Sequence, residues 1–179
     1  MDFGAFSQIL ERSRPAARKI LVGSAPLLQP LTEAEALGYE VSVLERVVKP
    51  QPSAHSDSDG GPIVVKTYGK NGGKSYVDPK PKKGEQGVDE LLHLKMLESI
   101  VDYEPATMVV GTGDGNTAEF SNGGFFRCVE RALQRGWKVE LVCFKRPMSR
   151  IWEDKKFRAE WAGRFRVVFL DEFTECLTL

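Results

Sequence analysis

Residues 107–111 read TMVVG and residues 137–144 read WKVELVCF, with a glycine-rich turn and an amphipathic stretch ending at Gly136 between them. A short apolar run bounded by turn signals is consistent with a strand buried on both faces. That burial belongs to parallel sheets whose strands are joined by helices packed on them. The same alternation starts earlier. Phe3, Phe6, Ile9 and Leu10 recur at helical spacing, with Asp2 placed to cap the start and Arg14-Pro15 to end it. Residues 19–23 (KILVG) read as a buried strand, 31–37 as a brief helix stopped by Gly38, and 39–48 (YEVSVLERVV) as a β-branched, alternating strand. Residues 88–103 predict a helix with Val88, Leu91, Leu92, Leu97, Ile100 and Val101 on one face and Asp89 in its first turn. A helix over about 125–135, a short basic helical stretch over 151–161, a strand at 166–170 and a final acidic turn or helix complete the series. The expected fold is α/β, a three-layer α/β/α sandwich with a mainly parallel sheet.

One stretch breaks the pattern. Between about residues 50 and 86 the chain turns to Pro, Ser, Asp, Gly and Lys around a single apolar patch at 62–68, which predicts a flexible insertion with room for an edge strand or hairpin. Otherwise the 179 residues suit one domain over 1–179, long enough to bury a core without staples. No repeat of 20 to 50 residues is visible. Cys128, Cys143 and Cys176 are odd in number and match neither a disulfide framework nor a zinc pattern, so they read as reduced thiols. No apolar run reaches spanning length, and charges interrupt the amino-terminal segment where a signal peptide would be apolar. The expected location is intracellular, cytoplasmic or nuclear, with no membrane partner.

Lys plus Arg and Asp plus Glu number 25 each, which excludes a uniformly basic coat protein. The neutral total conceals patches. Residues 62–86 carry six lysines against two acids, and residues 145–166 carry eight basic residues against three acids. An anionic partner would feel such patches. Lys145, Arg146, Arg150, Lys155, Lys156 and Arg158 form the candidate nucleic-acid surface, with Trp152 and Trp161 set among them to stack on bases. The bland alternative is a solvated helix face.

The chemistry points elsewhere. Parallel sheets gather their sites at the carboxyl ends of the strands. The turn GTGDGN, residues 111–116, leaves the apolar run 107–111 at that end. Its glycines permit a close backbone approach, and Asp114 offers a carboxylate suited to a hard cation. Asp89, opening the helix before that strand, is placed to meet it. Two converging carboxylates repel unless a divalent ion neutralises them. Glycine-rich turns are common, however, and an acid in a first turn also suits the helix dipole. His55 and His93 lack neighbours at ligand spacing.

Three segments together resemble a known family: GVDELLHLKM at 87–96, TMVVGTGDGN at 107–116 and VERALQRGWKVELV at 129–142. They are similar to the NYN domain of the PIN-like nuclease superfamily, in its fungal form, most specifically over residues 87–144. The resemblance implies a PIN-like, Rossmann-like sheet and a metal-dependent endoribonuclease acting on RNA phosphodiesters. It implies Asp89 and Asp114 as catalytic residues and ligands of Mg²⁺ or Mn²⁺, the metal activating water and neutralising the scissile phosphate. Two departures stand out. The position two after Asp114, acidic in the family, is Asn116, with Glu119 as the nearest substitute, so the candidate metal set is Asp89, Asp114, Asn116 and Glu119. The family's first strand, which carries an Asp and an Asn, has no counterpart before Phe3, as in a fragment or in a copy that has lost a central strand. The expected partner is RNA, with a homo-oligomer or protein partner as further possibilities. The alternative function is a degenerate NYN module that binds RNA or protein without cutting. A nucleotide- or phosphoester-binding protein using 111–116 as a phosphate cradle is a third, weakened by the lack of a Walker lysine.

Overall fold

The computed structural model describes residues 2–48, 83–84, 87–115 and 123–177. The fold is mixed α/β with parallel strands in two sheets. Helix α1 (Phe3–Glu11) leads through a turn to strand β1 (Ile20–Ser24), helix α2 (Thr32–Ala36) and strand β2 (Glu40–Leu44), which pairs in parallel with β1. Strand β3 (Val47–Val48) pairs antiparallel with β4 (Lys83–Gly84). Helix α3 (Val88–Asp102), β5 (Thr107–Val110), α4 (Gly124–Gln134), β6 (Lys138–Cys143), α5 (Lys155–Glu160) and β7 (Phe165–Phe169) follow, and α6 (Thr174–Leu177) ends the described chain. The second parallel sheet has the order β5-β6-β7.

The two apolar runs 107–111 and 137–144 thus become neighbouring parallel strands, with Val110 opposite Leu141. Alternation decides what each face of this sheet buries. Met108, Val110, Val139, Leu141 and Cys143 join Met96 of α3 and Phe125, Val129, Ala132 and Leu133 of α4 in the larger core. Val109, Val142 and Val168 turn the other way, against Phe6, Ile9 and Leu10 of α1 and Leu177 of α6. Glu140 also faces this second side, where Arg14 meets it.

Several boundaries and faces differ from expectation. The single sheet becomes two parallel sheets and an antiparallel pair, because no strand among the described residues joins β1 to β5. The expected strand 39–48 is broken: β2 stops at Leu44, and Val47–Val48 pairs instead with Lys83–Gly84, which holds Val48 and Lys83 side by side. The rest of the expected insertion, with His55, lies outside the described residues. In α3 the inward row includes His93 and Met96, while Val101 is 81% exposed. Residues 89, 93, 96 and 100 share one face at helical spacing, and a polar His in that row obscures it in the sequence. Trp137, Cys128 and Cys143 are buried.

Candidate functional site

Asp89 and Asp114 stand at the same end of the molecule for a simple geometric reason. Helix α3 runs back toward the amino end of β5, which it joins through residues 103–106, so its own amino end lies at the carboxyl edge of the strands. Gly87 precedes it at φ +80, a left-handed conformation that glycine adopts without a Cβ clash, and packs near Leu44 at the end of β2. Asp114 is exposed in the loop leaving β5, where its backbone N–H donates to Thr112 Oγ1 at 3.1 Å.

Both carboxylates lie within electrostatic reach of one buried group. His93, one turn inside α3 from Asp89, is 4% exposed and meets Phe125 edge to face, with ring centroids 4.3 Å apart. Neither ring nitrogen has a hydrogen-bond partner among the described residues. Burial pushes the imidazole pKa below its ordinary value, and the negative charges of Asp89, Glu90 and Asp114 oppose that shift. The buried imidazole is thus within electrostatic reach of Asp89, Glu90 and Asp114. The spacing of Asp89 and His93, four apart on one helix, is the sequence signal for this neighbourhood.

The loop carrying Asp114 is tied to the basic segment after β6. Ser149 N–H donates to the Gly113 carbonyl at 2.9 Å. An ideal Cβ on Gly115 would stand 2.3 Å from Ile151 Cγ2 and 2.9 Å from Trp152 Nε1, so only glycine permits this approach. Lys145, Arg146 and Arg150 are exposed on the same loop, with Lys145 N–H donating to Asp171 Oδ2. Lys155, Lys156 and Arg158 are exposed on α5, whose first turn is capped by Asp154 accepting from Phe157 N–H. Arg158 Nε donates to the Trp152 carbonyl.

Trp152 is a correction. It is fully buried, stacked on Phe165 with centroids 5.9 Å apart, and cannot offer a face to a base. Trp161 is buried as well, beneath the Arg164 guanidinium. The basic residues around them stay outside because their charges keep water, while the indoles supply the apolar contact that roofs the sheet. Asn116 and Glu119 lie outside the described residues. Among the described residues, no group of three or more His, Cys, Asp or Glu side chains is disposed to hold a metal.

The opposite, amino-terminal edge holds a polar cluster that the sequence reading does not foresee. Glu140, 5% exposed, accepts hydrogen bonds from both Arg14 nitrogens Nη1 and Nη2, at 2.9 and 2.8 Å, and from Arg166. Burial pushes its carboxyl up, but the two guanidiniums outweigh burial and hold it below the ordinary carboxylate range. Its sequence signal is a glutamate in the middle of an apolar strand run. The cluster ties the end of α1 to β6 and β7.

Comparison of the chain with family models, with curated proteins and with solved structures gives no match.

Proposed function

We propose that the protein is a metal-dependent endoribonuclease of the NYN type, cutting RNA phosphodiesters at the carboxyl edge of its strands. What supports this reading is that the amino end of α3, with Asp89, and the loop leaving β5, with Asp114, lie at the carboxyl edge of the strands, beside a segment that presents Lys145, Arg146 and Arg150. Mg²⁺ is commonly held by one or two carboxylates with water and substrate phosphate completing its shell, so two aspartates suit it. Asp89 and Asp114 would hold the ion. When bound, the ion supplies a more acidic water and positive charge at the phosphate. The protein's own part is to bring two carboxylates on different elements to one edge of the strands and to draw the RNA backbone to the basic loop.

The test is cleavage of a single-stranded RNA with Mg²⁺ or Mn²⁺. Asp114→Asn removes one charge with almost no change of size, and is expected to lower cleavage by at least about a hundredfold while RNA binding persists. Equal activity in wild type and variant would reject Asp114 as a ligand. A second reading, an RNA- or protein-binding module without cleavage, draws on the lack of a third metal-ligating side chain among the described residues. Binding of RNA with no metal-stimulated cleavage by wild type would favour it.

A further inference from the structure

The sheet face that bears Val109, Val142 and Val168 changes character toward the amino ends of its strands. Helix α1 covers the apolar part with Phe6, Ile9 and Leu10 and ends at Glu11, followed by Arg12 and Ser13 in left-handed conformations. Register and alternation put Thr107, Lys138, Glu140 and Arg166 on this same face, at the amino ends of β5, β6 and β7. With Arg14 and Gly163 they line a cavity of about 420 Å³, a size at which small-molecule sites occur. Its walls carry four cationic side chains, Arg14, Lys138, Arg164 and Arg166, against the single carboxylate of Glu140. Two of the four are committed to the fold. Arg14 gives Nη1 and Nη2 to Glu140 and Nε to the Glu11 carbonyl. Arg164 donates to the Leu133 carbonyl at 2.9 Å, with its guanidinium over the Trp161 ring. The other two are not. Arg166 gives Glu140 only Nη2, and its Nε and Nη1, like Lys138 Nζ, donate to no protein acceptor among the described residues.

We infer that this cavity binds a small phosphorylated anion, its phosphate oxygens held by Lys138 and Arg166 with the Thr107 hydroxyl beside them. An ion-pair staple between α1 and the sheet accounts for Arg14 and Glu140, but it leaves the donors of Lys138 and Arg166 unused. One carboxylate neutralises one cation, so the cavity keeps a surplus of positive charge that suits a dianion. A monocarboxylate needs a single guanidinium fork, whereas a phosphate oxygen set takes the fork of an arginine and the point charge of a lysine together. Glu140, 5% exposed and bonded to Arg166, holds that fork at the wall before any ligand arrives, which lowers the ordering cost of binding. Gly163, at φ +80, has no atom within 4 Å of the place of a Cβ, so its side of the cavity is clear. The site lies at the opposite edge of the strands from Asp114 and stands apart from the nuclease reading.

The experiment is calorimetric titration of the full chain with pyrophosphate, in about 0.1 M sodium chloride so that distant charges are screened. A chelator is present, so that no metal–phosphate complex forms at Asp89 and Asp114. Saturable binding at one site is expected. Lys138→Ala should weaken it by at least about tenfold, through loss of a charge-assisted contact. The Lys138 side chain is exposed and has no hydrogen-bond partner among the described residues, so this variant reads binding rather than folding. Lys155→Ala with Lys156→Ala, in the basic segment, should leave the affinity within about twofold. Absence of saturable binding overturns the proposal, as does equal weakening by the two variants, which would mark a response to net charge alone. Acetate bound as tightly as pyrophosphate overturns the assignment to phosphate. A short single-stranded RNA without terminal phosphates distinguishes the sources: displacement of pyrophosphate supports the site with a nucleic-acid backbone as the source, and no displacement supports it with a free phosphorylated small molecule.

Discussion

Trp152 shows how a residue's role depends on what surrounds it. In the sequence it stands among Arg150, Lys155, Lys156 and Arg158. In the fold it is one of the largest fully buried side chains, held between Phe126, Phe157 and Phe165. Trp152→Ala should cost about 3–5 kcal/mol in urea unfolding, because the aromatic cluster cannot collapse into the space. Retention of full stability together with weakened RNA binding would restore the stacking role instead. Glu140 makes the complementary case for a buried charge. Its carboxyl is held low in the folded chain, so the stability it contributes is complete well above pH 4.5 and is lost as pH falls through its folded pKa. Glu140→Gln should lower stability at neutral pH by about 1–3 kcal/mol, the two guanidiniums being partly exposed and able to find water. It should also flatten the decline of stability on acidification from pH 6 to pH 3. Parallel pH profiles in the two proteins would show that Glu140 is not the titrating group.

At the scale of elements, helix ends and periodicities are the most legible features. Asp2 caps α1 as its position suggests, its Oδ1 accepting from Ala5 N–H at 2.9 Å. Asp2→Ala should cost about 0.5–2 kcal/mol by urea unfolding, and Asp2→Asn much less, since asparagine caps as well as aspartate. Helix α4 stops before Gly136, and β5 and β6 keep to their apolar runs. Helix α3 departs from expectation on one face because its core row includes His93, a polar residue that hydrophobic periodicity does not count. The broken strand after Tyr39 departs for a different reason. Alternation continues through Val48, yet the partner of Val47 and Val48 is Lys83–Gly84, some 35 residues on. Local sequence carries no information about a pairing that remote.

At the scale of the molecule, the charge pattern sets the expected behaviour toward RNA. Arg146, Arg150, Lys155 and Lys156 are exposed on one continuous segment, so binding through them should weaken with salt as counterions are released. Lys155→Ala with Lys156→Ala should reduce the slope of log affinity against log salt by about 0.7 for each phosphate of a single-stranded RNA that the variant no longer neutralises. An unchanged slope would place the RNA elsewhere on the surface. Two separate parallel sheets among the described residues give the molecule its second global feature. It belongs to no single segment.

Sequence alone determined the alternation of strands and helices, the adjacency of the runs 107–111 and 137–144, the cap at Asp2 and the basic segment beyond Lys145. Each of these rests on periodicity or on neighbours within a few positions. Only the tertiary structure decided that Trp152 is core, that His93 is buried, that Arg14 and Arg166 close on Glu140, and that β1 and β5 share no partner among the described residues. Those outcomes depend on which residues distant in the chain exclude water from one another, and burial of that kind is a property of the packed chain.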